Sequence, residues 1–182
     1  MTHSVVTALA VLGLVGQALI VVLLLWFLVA RESLRRLLWG YERWAGFVVA
    51  AIATGGSLFL SQVAGFVPCE MCWFQRICMY PLSILLLFLA WHGDNRAARY
   101  LFVFPVVGSG VSIYHILIEN HVVATPSACE IGGAGCAVKW IDYFGYMTIP
   151  TLALTAFVLL IGFLALAVAG QEETVATLPA DA

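Results

Sequence analysis

Charged residues are scarce in this chain. Of its 182 residues, 10% are charged and 63% are hydrophobic. A soluble domain carries about 25% charged residues, so the composition excludes a soluble globular protein. We therefore predict an integral membrane protein.

Signatures of several common functions are also missing. The sequence has no phosphate-binding loop and no Ser/His/Asp catalytic set, and its basic residues lack the clustering that a nucleic-acid surface needs. No internal repeat is visible. We therefore expect no nucleic-acid partner, and the chemistry must come from other residues.

What the sequence does contain is a series of long apolar runs. The first, residues 5–30, has no charge and can cross a hydrocarbon core of about 30 Å at about 1.5 Å per residue. A cleaved signal peptide is the alternative, but no Lys or Arg precedes the run, and signal peptides have apolar stretches of only about 7–15 residues. We expect a retained helix. Further runs follow at residues 44–67, 73–91, 100–118 and 144–170.

The runs predict an all-α fold, a four-helix transmembrane bundle with one extra N-terminal transmembrane helix. The prolines inside the runs (Pro81, Pro105 and Pro150) are expected to be tolerated kinks. Residues 139–144 mix aromatic and polar side chains, which predicts a short interfacial helix in the last outer loop. The predicted parts are residues 1–43 (first helix and basic connection), 44–170 (four-helix domain) and 171–182 (disordered cytoplasmic tail).

The positive charges predict the orientation in the membrane. The first and third connections contain Arg31, Arg35, Arg36, Arg43, Arg96 and Arg99. Because cytoplasmic loops carry an excess of Lys and Arg, we expect these two connections to be cytoplasmic. Both cysteine-bearing connections should then be extracytoplasmic, and loss of the first run would leave that orientation unchanged.

Two of the five cysteines form a CxxC motif, in the segment Pro68-Cys69-Glu70-Met71-Cys72-Trp73-Phe74-Gln75-Arg76. Spacings of three and four residues share one helical face, so Cys69, Cys72 and Arg76 are expected to line up. A CxxC pair can alternate between dithiol and disulfide, and a helix start stabilises a thiolate. An arginine one turn inside the membrane points to function, although snorkelling to the interface is a milder explanation.

A second cysteine pair, Cys129 and Cys136, lies in the last outer loop. Glycines between them let the two sulfurs meet. A static structural disulfide is one interpretation, because disulfides persist outside the cytoplasm. Four outward cysteines can also bind zinc, but the gap in this loop is long for a zinc knuckle and Arg76 would repel the ion, so we expect no metal. Cys78 is expected to be a buried free thiol.

The segments PCEMCWFQRICMYP and CEIGGAGC-AVKWIDYFGYMTIPTLAL resemble the disulfide bond formation protein B (DsbB) family, and in particular its BdbC-like branch. The similarity spans residues 44–168 and includes the stretch WI-x-x-F-G-x-x-TIP. It implies a bacterial inner-membrane thiol oxidase with a DsbB-like four-helix domain. Such a protein reoxidises a DsbA-like thioredoxin-fold partner and passes electrons to a membrane quinone, either ubiquinone or menaquinone.

By position, the resemblance also implies individual roles. Cys69–Cys72 would be the quinone-proximal pair, with Cys72 the thiolate that engages the quinone and Arg76 stabilising its charge. Cys129–Cys136 would meet the partner, with Cys129 the site of the mixed disulfide, and Cys136 would then exchange with Cys69. The extra N-terminal run and the short spacing of the loop pair depart from the family pattern. In the vitamin K epoxide reductase family the loop cysteines precede the CxxC, which argues against that kinship.

A quinone reduced at this site would need a proton donor. His115 and His121 flank the outer end of the fourth run, and His115 can serve as this proton donor. A histidine at the membrane interface that only makes structural hydrogen bonds is the more frequent case. Two other functions remain open from the sequence. One is a non-catalytic tetraspan-like scaffold with static loop disulfides, and the other is a thiol reductase that runs electrons outward through the same residues.

Overall fold

In a computed structural model of the protein, residues 2–38, 40–93, 97–126, 129 and 135–176 are described. Within them the helices are α1 (Thr2–Leu38), α2 (Glu42–Gln62), α3 (Glu70–His92), α4 (Ala98–Leu101), α5 (Val103–Glu119) and α6 (Ile149–Ala176). These residues contain no strand beyond a single bridge between Tyr143 and Met147. The all-α prediction is confirmed.

Five segments of this part of the chain are long and apolar enough to cross a membrane. They are His3–Ala30, Glu42–Gln62, Glu70–His92, Ala98–Glu119 and Ile149–Ala169. Helix α1 departs from helical geometry at Ala30 (φ −143, ψ 55), where the predicted first run ends. Residues 171–176 continue α6 beyond the predicted end of the last run, and residues 177–182 lie outside the described residues.

Helices α2, α3, α5 and α6 form the predicted four-helix bundle. Each packs on two neighbours, in the cyclic order α2, α3, α5, α6. Leu82 and Leu86 of α3 and Leu160 and Leu164 of α6 belong to their shared core. Both pairs are spaced four residues apart, so each forms one helical face, and interlocking of these faces supplies the van der Waals contact that holds membrane helices together.

The fourth membrane span is interrupted at Phe102, between α4 and α5. Pro105 explains the break, because it has no N–H for the carbonyl of Leu101 and its ring crowds that turn. Pro81 lies within a continuous α3. Pro150 is the second residue of α6. The N–H groups of the first turn make no hydrogen bond within a helix, so proline costs none there.

The predicted short helix over residues 139–144 is wrong. Tyr143 and Met147 instead exchange backbone hydrogen bonds of 3.2 and 2.9 Å across a tight turn. Phe144 and Gly145 in that turn have φ of 59° and 76°. Positive φ is incompatible with a right-handed helix, so the chain cannot form the predicted helical turn here.

Helix α1 packs against α6, and its described buried residues lie in its first half. A Cβ on Gly13 would overlap the side chain of Leu152, and one on Gly16 would lie 3.0 Å from Thr155 Cγ2, so both glycines permit close approach. No described side chain of residues 17–30 is buried. Among the described side chains of α1, the buried residues are Val6, Ala10, Gly13 and Gly16.

The connections meet at two opposite ends of the bundle. The cysteine end contains residues 63–69 and the described parts of residues 120–148. At the other end, a Cβ on Gly93 would lie 3.5 Å from Nη1 of Arg43, so the first and third connections are adjacent. The side chains of Arg31, Arg35 and Arg36, and residue Arg96, lie outside the described part of the chain.

Candidate functional site

The CxxC pair begins α3. Cys69 is the N-cap, in an extended conformation (φ −74, ψ 173), and its carbonyl accepts a hydrogen bond from the Trp73 N–H at 3.2 Å. Pro68 lies just before the helix rather than in its first turn. The expected helix start at the CxxC motif is found, and Cys69 lies at the exposed N–H groups of the first turn.

The two sulfurs of the motif are adjacent. Cys69 Sγ and Cys72 Sγ are 3.2 Å apart, and neither is in a disulfide. A hydrogen bond from the Cys72 thiol is the largest cause that lowers the pKa of Cys69 to about 4; contacts with His115 add to it, against the opposing effect of burial. The lowered pKa favours the thiolate at Cys69, which is the reactive form of cysteine.

His115 of α5 contacts both the CxxC pair and the outer loop. Its Nε2 lies 3.6 Å from Cys69 Sγ and 3.1 Å from the carbonyl oxygen of Cys136. On the other side of the ring, Gln75 Nε2 donates to Nδ1 at 3.4 Å. Because Nδ1 accepts, Nε2 carries the proton and donates to the Cys136 carbonyl.

The loop cysteines form a disulfide, with a Cα–Cα distance of 5.5 Å between Cys129 and Cys136. Both are buried, at 2% and 1% exposure. They pack in one cluster with Cys69 and Ile118, and Cys72 lies against that cluster. The two cysteine pairs therefore lie side by side, as the exchange implied by the family resemblance requires.

Arg76 lies one turn beyond Cys72 and is held by α2. Its Nε donates to Ser57 Oγ at 3.0 Å, and its Nη2 donates to the Ser57 carbonyl at 3.1 Å. Tyr80 also donates to Ser57 Oγ, at 3.2 Å. Arg76 lies 5.3 Å from the ring centroid of Trp73. Among the described residues Arg76 has no carboxylate partner, so no neighbouring negative charge neutralises its guanidinium.

A cavity of about 300 Å³ opens beside Cys72 and Arg76. Its walls come from α1, α2, α3 and α6 and are mostly apolar. At the cysteine end Phe66 and Trp140 line it, with their rings stacked at a centroid distance of 5.3 Å. The volume is at the lower end of the range for small-molecule sites, about 300–1,000 Å³.

The two cysteines of the motif have different surroundings. Cys72 lines the cavity together with Gln75 and Arg76, whereas Cys69 belongs to the cluster that contains the loop disulfide. Cys72 and Arg76 share the predicted helical face towards the cavity, and the Cys69 sulfur lies beside that of Cys72. The CxxC pair connects the loop disulfide to the cavity.

His115 is not among the residues that line the cavity. Its contacts are with Cys69, Gln75 and Cys136, so a direct contact between His115 and a quinone remains a prediction. Reasoning from the sequence missed Gln75 and Ser57 as members of the site. Gln75 lies inside the quoted motif as a polar residue in an apolar run, which is a usable signal, whereas Ser57 has none.

The four outward cysteines are the residues from which the sequence suggests a zinc site as an alternative. Two of these are joined to each other in a disulfide, so a site made of four thiolates is not formed. One Sγ each from Cys69 and Cys72 and a ring nitrogen of His115 lie within 4.8 Å of one another. The side chains of this group are accounted for by contacts with each other, Gln75 and the Cys136 carbonyl.

The fold and this site define a multi-pass membrane protein whose CxxC pair lies between a loop disulfide and an intramembrane cavity. The model of the family "Disulfide bond formation protein DsbB" matches residues 41–169. Disulfide bond formation protein C of Bacillus subtilis (strain 168) is 39% identical over 130 residues, which cover 71% of this chain and 94% of that protein.

Other relatives agree with this match. A probable disulfide formation protein of Coxiella burnetii (strain CbuK_Q154) is 34% identical over 143 residues, which cover 78% of this chain and 97% of that protein. A probable disulfide formation protein C of Halalkalibacterium halodurans is 39% identical over 115 residues, covering 63% of this chain and 83% of that protein. No solved structure matches the chain. The chain belongs to the DsbB family of disulfide bond formation proteins and is a membrane oxidoreductase.

Proposed function

We propose that the protein is a thiol:quinone oxidoreductase of the bacterial inner membrane. It reoxidises an extracytoplasmic DsbA-like dithiol oxidase of thioredoxin fold and so supports disulfide bond formation. The observation that carries this proposal is the placement of the CxxC pair, with Cys69 against the loop disulfide and Cys72 at the cavity.

The first exchange takes place at the outer loop. A thiolate of the reduced partner attacks Cys129, a mixed disulfide forms, and Cys136 leaves as a thiolate. The partner's second thiol then displaces Cys129, and the partner leaves in its oxidised form. The loop disulfide has gained two electrons and two protons and is now a dithiol. The disulfide between Cys129 and Cys136 is the substrate of this step.

The second exchange transfers those electrons to the CxxC pair. Cys136 attacks Cys69 of an oxidised Cys69–Cys72 pair, Cys72 leaves as a thiolate, and Cys129 then displaces Cys69. The loop disulfide is restored and Cys69 and Cys72 become a dithiol, which is the combination seen in the structure. The Nε2–H of His115, near Cys69 Sγ and the Cys136 carbonyl, can stabilise the thiolate that Cys69 becomes when Cys129 displaces it.

The cavity fits a quinone. Cys72, Gln75 and Arg76 supply a thiol, an amide and a cation at one wall, and the remaining walls are mostly apolar. A quinone bound there supplies the electron sink, because it accepts two electrons and two protons from the dithiol. Such a sink is needed because a DsbA-type partner is itself strongly oxidising, with a reduction potential of about −120 mV.

The test is quinone reduction by the purified protein with a reduced thioredoxin-fold partner. We expect Cys72→Ser to abolish quinone reduction and to leave the helical content unchanged. Cys78→Ala removes a thiol of the same helix outside the site and serves as the control, with turnover retained. Full turnover in Cys72→Ser would contradict the proposal.

In the static scaffold that the sequence left open, the loop disulfide would be a structural staple. Thiol trapping during turnover separates the two functions. A catalytic pair changes its redox state when partner and quinone are added, whereas a staple stays oxidised throughout.

A further inference from the structure

Helix α1 lines the cavity although it lies outside the family match. The match begins at residue 41, after α1 has ended. Six residues of α1 nevertheless contribute to the cavity wall: Leu9, Leu12, Gly13, Val15, Gly16 and Leu19. The family pattern therefore does not account for this side of the cavity.

The cavity is elongated along the helix axes. On α1 its wall runs from Leu9 to Leu19 and on α6 from Ile149 to Leu159, a rise of about 15 Å on each helix at about 1.5 Å per residue. Both stretches begin at the cysteine end. The cavity therefore extends from the CxxC pair to roughly the middle of a hydrocarbon core of about 30 Å.

The contacts of α1 with the bundle coincide with this stretch. Gln17 Nε2 donates to Thr155 Oγ1 at 3.4 Å, and Tyr146 OH donates to Gln17 Oε1 at 3.0 Å. Near the cysteine end, Thr7 Oγ1 and Tyr143 OH are 2.9 Å apart. Beyond these positions α1 has no buried residue up to Ala30. These hydrogen bonds and the buried residues of α1 thus lie alongside the cavity.

Apolar side chains of the wall remain uncovered by protein. Leu12 and Val15 of α1 are 47% and 58% exposed, and Ile52 on the α2 wall is 45% exposed. A ring bound at Cys72 and Arg76 would leave these side chains without contact. A molecule with a polar ring at the cysteine end and a long apolar chain directed towards the membrane centre would cover them.

We propose that α1 forms the wall of the quinone site that binds the isoprenoid chain, and that this helix makes affinity depend on the length of that chain. The inference rests on the proposed function, because the ring is taken to lie at Cys72 and Arg76. It adds a specificity element from outside the four-helix domain that the family model matches, and it requires α1 to remain attached.

The first test is labelling of the full-length protein in detergent by a quinone with a photoreactive group on its chain. Mass spectrometry is expected to find the label on α1 between residues 9 and 19, and an unlabelled long-chain quinone is expected to compete. Label confined to α2, α3 and α6 would overturn the inference. So would efficient labelling of α1 by a photoreactive fatty acid that no quinone displaces, because a lipid acyl chain would then be the occupant.

The second test is equilibrium binding of a long-chain quinone and of the same ring without its chain. Val15→Trp should weaken binding of the long-chain quinone roughly tenfold and change binding of the bare ring by less than about twofold. Val21→Trp is the matched control, because Val21 is similarly exposed (55%) on the same helix but does not line the cavity. Leu12→Trp is a second variant at the wall and should behave like Val15→Trp.

The outcomes separate this inference from the proposed function. Equal weakening of both ligands, or no weakening by either wall variant, would overturn the role of α1 while wild-type quinone reduction persists. A wild-type protein that neither binds nor reduces any quinone would remove the proposed function itself. An intact mass that lacks residues 1–30 in protein purified from membranes would also overturn the inference.

Discussion

Cys69 and Cys72 are one helical turn apart and yet have different chemical surroundings. Positions three apart on a helix differ by about 60° around its axis, which is enough for neighbouring elements to cover one and leave the other open. Cys69 is covered by α5 and the outer loop, whereas Cys72 faces the cavity. The CxxC spacing predicted a cysteine pair. The different surroundings of the two cysteines come from packing between elements, which no local sequence pattern encodes.

The low pKa of Cys69 predicts an unusual pH profile. In a Cys78→Ala background, alkylation of Cys69 by iodoacetamide should be nearly independent of pH from about 5.5 to 8, because a pKa of about 4 keeps it a thiolate. An ordinary thiol, with a pKa of about 8.5, would accelerate about tenfold per pH unit there.

The matched variant is Cys72→Ala, which removes the hydrogen bond that lowers the pKa of Cys69 most. Its alkylation should then rise with pH across the same interval. A steep rise already in the Cys78→Ala parent would contradict a stabilised thiolate at Cys69.

At the scale of elements, hydropathy predicted the helices well, because a membrane span must be long and uninterrupted. The wrong prediction of a short helix over residues 139–144 has a different origin. The mixed composition of that segment suits a surface helix, but positive φ at Phe144 and Gly145 closes a turn instead. Gly145 was the available signal, since glycine favours such turns. The break at Phe102 was only indicated indirectly, by Pro105.

The contact between α5 and α6 gives a prediction with an internal control. A Cβ on Gly108 would overlap the buried ring of Phe157, whereas one on Gly110 would meet nothing within 4 Å. Gly108→Ala should therefore destabilise the protein by about 1–3 kcal/mol through overpacking. Gly110→Ala should be neutral or stabilise it by up to about 1 kcal/mol, because alanine is the better helix former.

Thermal unfolding in detergent, followed by circular dichroism, compares the two alanine variants with the parent. An equal effect of both substitutions would mean that the α5–α6 distance does not depend on Gly108.

At the scale of the whole molecule, both cysteine pairs lie at one end and the first and third connections at the other. By the positive-inside rule, the arginines of those connections predict that this end is cytoplasmic. The sequence thus predicts on which side of the membrane each helix end lies. It could not show that α1 contributes to a cavity with α2, α3 and α6, because that depends on contacts between distant helices.

The orientation can be tested with two exposed positions. Tyr41 in the first connection is 71% exposed and Val122 at the cysteine end is 68% exposed. In a background with Cys69→Ser, Cys72→Ser and Cys78→Ala, an impermeant maleimide should label Val122→Cys in intact cells. It should label Tyr41→Cys only after the cells are permeabilised. The reverse pattern would contradict the proposed extracytoplasmic cysteine loops.

The loop disulfide joins cysteines only 7 positions apart in the sequence. When an incoming thiolate opens it, the released sulfur stays tethered to the attacked one, at an effective concentration set by a very short linker. Intramolecular reclosure therefore outpaces encounters with bulk thiols, and a stalled complex with the partner should be short-lived. To isolate the mixed disulfide with the partner, the tethered sulfur must first be removed, as in the variant Cys136→Ser.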